Sequence, residues 1–477
     1  AQPAGDQPPA HVFLMVNGSS GGQASGQLLS MGKDRFKMRS RAGRAIYTRV
    51  FDLRDSDARK QGFAKVRKLS DDNADVRVVA CGGDGTVKWV ISELTMVGCL
   101  RVPIGVIPFG TGNDFSRAMG WGASPPNPLI GPNLSALRAR IETIVESEVG
   151  PLDTWICEIK VADSGGCFKE VKDGKVVETH KGEKLLAHEM INYFSFGADA
   201  QVVFEFEQSR TKSQLGNKLV YVRKGTNQVI NRPKTMRKML KHKGGLTNLR
   251  GEPIPYRKRD RVMAFLNIPS YSAGANIWRP GKSVNGTFTR QFVGDKRLES
   301  ATVNTTVDVA LHIASAKWSH MGIFRVAQAE GYSVNFAQHR VRKKPTKTYL
   351  QVDGEAILAE QLESVTIRHG FQVLVLRSPK AIAKSFPDDT AAPDSILLQP
   401  SMDDSLSAGS DDLISDPTDA EVAEAVEVVE DAEDAADEII ANAEEEALIN
   451  EAEHTREAAV AIQGAFRKHV SMSPKSP

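Results

Sequence analysis

Three segments of this 477-residue chain put glycine beside side chains that can act on an anion or a metal ion. Gly82-Gly83-Asp84-Gly85-Thr86 lies between an apolar run of strand length, Val76–Ala80, and a helical pattern. Glycines there let backbone N–H groups close on an anion with no Cβ in the way. Asp84 cannot itself hold a phosphate, because like charges repel. A carboxylate in such a loop is better explained as a ligand, direct or through water, for Mg²⁺ bridging phosphates. Thr86 is positioned to cap the helix and to donate to a phosphate oxygen. Gly110-Thr111-Gly112-Asn113-Asp114 repeats the device after the next strand, again with a carboxylate at a helix start. Asn17, Ser19, Ser20, Gly21 and Gly22 add a third polar loop after the first strand. A tight strand-to-helix turn accounts for either glycine-aspartate segment alone; two on consecutive strands make coincidence a poor account. No Gly-x-x-x-x-Gly-Lys-[Ser/Thr] occurs and no Gly-x-Gly-x-x-Gly follows a strand, which sets aside a P-loop and weighs against a dinucleotide site.

The elements that must position these loops are legible in the apolar pattern. Val12–Val16, Ala45–Asp52, Val76–Ala80 and Val102–Ile107 read as strands, and Asp57–Leu69 reads as a helix. Val87, Val90, Ile91 and Leu94 recur at helical spacing after the second loop. Strands alternating with helices predict a doubly wound α/β domain around a parallel sheet, over about 11–150. All three loops fall at the carboxyl ends of its strands, where such sheets bind ligands. Pro125–Pro132 is a Pro-rich connector. From 151 to 380 the pattern turns strand-like, at Trp155–Val161, Met190–Phe196, Val262–Ile268, Val303–Ile313 and Val365–Leu376, and predicts a β-rich second domain. Residues 381–418 read as a flexible linker, and 419–470 as one long acidic helix.

Length and charge bound the rest. At roughly 100–200 residues per domain the chain holds two or three domains. No apolar run reaches the 18 or so residues of a membrane span. Four cysteines, spaced unlike a zinc module, point to a reduced, cytoplasmic compartment rather than a disulfide scaffold. The N-terminus lacks signal-peptide features and a Met, which leaves room for residues upstream. The net charge of +2 conceals a division: residues 1–400 carry 57 basic and 38 acidic residues, whereas 401–457 carry 21 acidic and one basic. A basic body with an acidic tail implies an anionic partner for the body.

Together, these residues resemble the diacylglycerol kinase catalytic domain, within the wider group of lipid kinases related to phosphofructokinase and NAD kinase. The specific part is Gly110-Thr-Gly-Asn-Asp-Phe-Ser-Arg117. The second domain is similar to the accessory region of the eukaryotic enzymes at Asn192–Asp199, Asn217–Val222, Asn267–Tyr271 with Gly274–Trp278, and Gln351–Glu355. The resemblance implies an α/β nucleotide domain followed by a β-sandwich, and transfer of phosphate from ATP to the hydroxyl of diacylglycerol. Carried over by position, the Asn17–Gly22, Gly82–Thr86 and Gly110–Asn113 loops would hold the nucleotide, and Asp84 and Asp114 would organise Mg²⁺. Asp353 would be the general base with Glu355 assisting. On the residues alone, Asp353-Gly354 reads as an ordinary hairpin turn. One departure is Gly18, where the family usually has Pro. Ceramide or sphingoid-base phosphorylation, or a weakly active lipid-binding scaffold, stand as the alternatives.

Lys and Arg are enriched over 232–261, which suits an enzyme docking on an anionic membrane surface as a peripheral protein, and equally suits a solvated loop. Few aromatics are interleaved there, so nucleic acid is not the expected partner. Ile462-Gln-Gly-Ala-Phe466-Arg-Lys468 resembles an IQ motif, which implies calmodulin or another EF-hand protein as partner, although Val470 and Ser471 replace the later basic residue.

Overall fold

The computed structural model describes residues 7–21, 24–209, 233–278, 282–284, 288–304, 322–337 and 345–379. Gly22, Arg232, Asn217–Val222, most of the expected strand 303–313, the linker 381–418, the acidic helix 419–470 and the IQ-like segment lie outside them.

The first third alternates as its pattern predicts, with α1 and β2 as unexpected additions: β1 (Ala10–Val16), a short α1 (Gln27–Ser30), β2 (Arg35–Arg39), β3 (Ala45–Asp52), α2 (Ser56–Asp71), β4 (Asp75–Gly82), α3 (Asp84–Met96), β5 (Ile104–Pro108), α4 (Asp114–Ala118) and α5 (Ser135–Glu146). β1 is central, paired in parallel with β3 on one side and β4 on the other. Val12 to Val16 are all fully buried, the continuous apolar run that a strand covered on both faces requires. β5 extends the parallel set beyond β4, and β2 closes the far edge in antiparallel pairing. The chain thus leaves β1 toward β3 and returns across it to β4 and β5, so the loops after β1 and β4 face one crevice. α2 is capped by Asp55, whose Oδ1 accepts from the amides of Asp57 (2.8 Å) and Ala58 (2.9 Å).

The remaining strands are β6 (Glu148–Val161), β7 (Cys167–Lys172), β8 (Lys175–Thr179), β9 (Leu185–Met190), β10 (Tyr193–Gly197), β11 (Leu246–Asn248), β12 (Val262–Leu266), β13 (Lys282–Ser283), β14 (Leu298–Val303), β15 (Ile323–Ala329), β16 (Gly331–Asn335), β17 (Lys347–Val352), β18 (Glu355–Glu360) and β19 (Leu362–Arg377), with α6 (Ala198–Ser209) after β10. Nine strands form a second sheet in the order β13-β15-β14-β12-β10-β17-β18-β7-β8. β6 and β19 belong to the first sheet and run antiparallel along nearly their whole length. Their outer halves, with β9, β11 and β16, share an apolar core with the nine-stranded sheet: Trp155, Ile159 and Val365 meet Phe194, Phe265 and Leu350. Their inner halves enter the other core through Leu152, Val373 and Val375, and Val375 pairs in parallel with Ile104 of β5. The register shift between His369 and Gln372 falls where the ribbon passes from one core to the other.

One expected strand is two. Met190–Phe196 breaks at Ile191 and Asn192, because the amides there turn to a side chain instead of a neighbouring strand; β9 then pairs with β6, and β10 with β12 and β17. The core sets a first prediction. Phe265 is fully buried, with its ring 4.8 Å from that of Tyr332 and 6.0 Å from that of Phe194. Phe265→Ala should cost about 3–5 kcal/mol of stability, read as a lowered midpoint in denaturant unfolding.

Candidate active site

The three loops expected to act together do meet. The Asn17 amide donates to the Cys81 carbonyl at the end of β4 (3.1 Å), and its Nδ2 donates to Thr86 Oγ1 (3.2 Å). Ser20 Oγ accepts from the Gly83 amide (3.1 Å), and Ser19 Oγ donates to Asn17 Oδ1 (2.9 Å). Gly21 has φ +62°, and a Cβ there would stand 2.2 Å from the Phe109 carbonyl oxygen, so the first loop lies directly against the chain leaving β5. Gly83 and Gly110 touch: a Cβ on Gly110 would reach 2.6 Å from Gly83 Cα and 2.8 Å from Asn113 Oδ1. Asn113, at φ 52°, closes its loop by donating from Nδ2 to the carbonyls of Gly110 and Ala123, each at 2.7 Å. Thr86 does not cap α3. The helix begins earlier, at Asp84 after a Gly83 cap, so Thr86 sits in its first turn with its hydroxyl turned to Asn17. Beside the first loop is a cavity of about 700 Å³ lined by Gly18, Ser19, Gln27, Ser30, Arg54 and Ile130, among others.

Asp84 joins the second and third loops. Its carboxylate accepts from the amides of Asp114 (3.0 Å) and Phe115 (2.8 Å), capping α4 from the neighbouring loop. Burial pushes this carboxyl up to about 6, and the Asp114 charge adds to the shift against those two amides. Asp114 is 4% exposed and turns to the second half of the chain, accepting from Ser270 Oγ (2.5 Å), the Ala273 amide (3.1 Å) and the Tyr193 hydroxyl (3.4 Å). Gly112 lies between the two carboxylates; a Cβ there would be 3.5 Å from Asp114 Oδ2 and 3.7 Å from Asp84 Oδ2.

Asp353 occupies the turn between β17 and β18, at φ 52° before Gly354 at φ 87°, the left-handed pair of a tight hairpin. The hairpin is also a site. Its carboxylate accepts from the amides of Asn192 (2.8 Å), Ile191 (3.1 Å) and Tyr193 (3.2 Å), and Lys88 Nζ of α3 stands 3.5 Å from Oδ2. Burial raises its affinity for a proton, while Lys88 and the three amides oppose that rise. The Asn192 side chain favours the Asp84 anion, and Tyr193 bridges two of the carboxylates, its amide donating to Asp353 and its hydroxyl to Asp114. Glu355, by contrast, is the exposed first residue of β18, and among the described residues no hydrogen bond or ion pair joins it to the other three acids. Thr111 is exposed at the tip of its loop.

Lys88, Asn192, Tyr193 and Ser270 were not singled out from the sequence. Lys88 had a usable signal, since it follows Asp84 by four residues and shares its helix face.

Two family models match this chain. One, described as the diacylglycerol kinase catalytic domain, matches residues 11–153, and the other, the diacylglycerol kinase accessory domain, matches 189–356. The chain is 32% identical over 280 residues to the eye-specific diacylglycerol kinase of Drosophila melanogaster, covering 56% of this chain and 17% of that protein. It is 29% identical over 308 residues to diacylglycerol kinase 2 of Arabidopsis thaliana, covering 63% and 38%. Diacylglycerol kinase 1 of Oryza sativa subsp. japonica is 25% identical over 446 residues, covering 81% and 83%. The chain thus spans less than two thirds of the length of the first two of these relatives.

The contact between the second and third loops is testable by one methyl group. Gly110→Ala must push Gly83 or Asn113 aside, and should cost about 1–3 kcal/mol, seen as a lowered thermal midpoint. An unchanged midpoint would mean that the loops do not touch.

Proposed function

The chain belongs to the diacylglycerol kinase family, and from that premise we propose that it transfers the γ-phosphoryl group of ATP to the free hydroxyl of diacylglycerol, giving phosphatidic acid. The observation that carries this reading is the convergence of Asp84 and Asp114, from two glycine loops, with Asp353 from the second half of the chain, the last two bridged by Tyr193. In this reading residues 11–150 form a nucleotide-binding domain of the phosphofructokinase and NAD kinase type, and 151–380 carry the lipid substrate.

The loop amides of residues 17–21, 82–86 and 110–113 receive the phosphates, whose charge they can meet at close range because seven glycines leave the backbone bare. The cavity beside Ser19 and Arg54 accommodates the rest of the nucleotide. The residues fit Mg²⁺: two carboxylates crowd one another, and among the described residues Asn113 Oδ1 is buried without a hydrogen-bond partner, a set of oxygens that suits a hard cation. Among the described residues no three Asp, Glu, His or Cys cluster as ligands, so Asp84 and Asp114 would hold the ion with the help of water. Bound there, Mg²⁺ would neutralise charge on the phosphates. Asp353 accepts the proton of the lipid hydroxyl as its oxygen bonds to phosphorus, and ADP departs. Glu355, on the open side of the same hairpin, assists at a distance by its charge.

No described helix is long and apolar enough to cross a membrane. Exposed Arg237, Lys238, Lys241, Lys243 and Arg250, beside exposed Leu249, support peripheral docking on an anionic leaflet, at roughly 1 kcal/mol per basic side chain. The Ile462–Lys468 segment is proposed to recruit calmodulin or a related EF-hand protein.

The test is transfer of labelled γ-phosphate to diacylglycerol in mixed micelles. Wild-type protein should give lipid product that EDTA abolishes, and Asp353→Asn should lower kcat about a hundredfold or more. Asp84→Ala should lose the product. Folded protein giving no product with diacylglycerol, ceramide or sphingosine would overturn the reading.

A further inference from the structure

We propose that Lys88 is a positioning residue of this site: its ammonium, reaching from α3, holds the Asp353 carboxylate ionised and aimed at the acceptor hydroxyl. The inference rests on the phosphoryl-transfer reading above. Three acids, Asp84, Asp114 and Asp353, are gathered at the junction, and among the described residues Lys88 is the cation that ion-pairs with one of them, at 3.5 Å. The pair is largely dry, with the Lys88 side chain 22% and the Asp353 side chain 6% exposed. At that exposure an ammonium and a carboxylate hold each other far more firmly than on a surface, and removing one leaves the other uncompensated.

The surroundings leave Asp353 little other positive charge. From β9, Glu189 faces the pair and disfavours the Asp353 anion, while His188 is held toward its neutral form by burial and by Lys88. From β6, the buried Cys157 thiol stays protonated. From the α3 and α4 N-termini come only Asp84 and Asp114. The three amides of Ile191, Asn192 and Tyr193 donate to Asp353 but carry no charge. Without Lys88, only the three amides would oppose the burial that raises the proton affinity of Asp353.

Placement on the helix gives the pairing its geometry. Lys88 follows Asp84 by one turn, so α3 presents Asp84 to the two loops and to Asn192, and presents Lys88 to Asp353. Nucleotide binding at the α3 N-terminus and the orientation of the base are thereby referred to one rigid element.

The experiment compares wild type, Lys88→Met and Lys88→Arg in the full chain, with kcat/KM for diacylglycerol measured across pH. Lys88→Met should carry its acid limb to higher pH, so that its loss against wild type is about tenfold greater on that limb than on the alkaline plateau. Lys88→Arg should keep the wild-type profile, and the KM for ATP should stay within about twofold in both. An equal loss at every pH that Arg does not restore, or an unmoved profile, would overturn the proposal. Thermal midpoints of Lys88→Met, Asp353→Asn and the double variant supply a reading that needs no turnover. The double variant should melt above Lys88→Met alone, whereas additive midpoints would also overturn it. An inactive wild type would sink the kinase reading and leave the pairing to be decided by this cycle.

Discussion

Three consecutive backbone amides, of Ile191, Asn192 and Tyr193, donate to one carboxylate, that of Asp353, and the rest of the site follows from where this puts the chain. Amides that point at a side chain cannot also point at a neighbouring strand, so the strand ends at Met190 and a new one starts at Tyr193 in the other sheet. The residues at the break are then free to face the first half of the molecule. Tyr193 sends its hydroxyl to Asp114, and the Asn192 side chain favours the Asp84 anion. The Asp353 amide donates back to the Tyr193 carbonyl (2.9 Å), so hairpin and strand break hold one another in both directions.

Such an arrangement concentrates negative charge, and each carboxylate is met by a different kind of donor. Asp84 receives the first amides of α4, where the helix terminus already favours an anion. Asp114 receives a serine, a tyrosine and an amide from the second half of the chain. Asp353 receives three amides and an ammonium. Neutral donors steady an anion without cancelling its charge, which leaves the Asp84–Asp114 side available to a cation and the Asp353 side biased by Lys88 alone. Under the proposed function, that division would separate a metal-organising role from a proton-accepting role among three residues of similar chemistry.

Much of this was readable before the structure. Strands β1, β3, β4 and β5 and helices α2 and α3 are set by apolar runs and helical spacing that involve only local sequence, and Ala45–Asp52 was bounded to the residue; β2, mostly polar and at the sheet edge, gave no such run. The glycine-aspartate loops were equally plain, because close backbone approach leaves glycine as a visible trace. What escaped depended on contacts across the chain. Lys88 and Asp353 are 265 positions apart, and the one local signal, the four-residue spacing from Asp84, does not point to Asp353. The break inside Met190–Phe196 was invisible because both halves are strands and only the distant carboxylate separates them. Thr86 was misplaced by a few residues of helix boundary, the quantity that local pattern fixes least well. Asp353-Gly354 looked like a turn and is one; its function lies in the amides opposite, which a turn signal does not report.

The site's precision also has a source behind it. Tyr193, which contacts Asp114, packs against Tyr271 with ring centroids 4.6 Å apart. The hydroxyls of Tyr271 and Ser195 both donate to Asp199 at the start of α6, and Gln351 Nε2 donates to the same oxygen (2.6 Å). Gln351 of β17 lies two residues before Asp353, so this buried network fixes the strand leading to Asp353 and the tyrosine that steadies the opposite loop. Its members come from β10, α6, the chain after β12 and β17, elements that pairing alone would leave free to slide by a residue. A slip of one residue would turn Gln351 and Asp353 to the other face of the sheet. Hydrogen-bonded polar groups in a dry interior penalise that slip far more than apolar packing would, because each would lose its partner at once. The polar network thus sets the register, the register sets Asp353, and Asp353 sets the strand break from which the junction of the two halves is built.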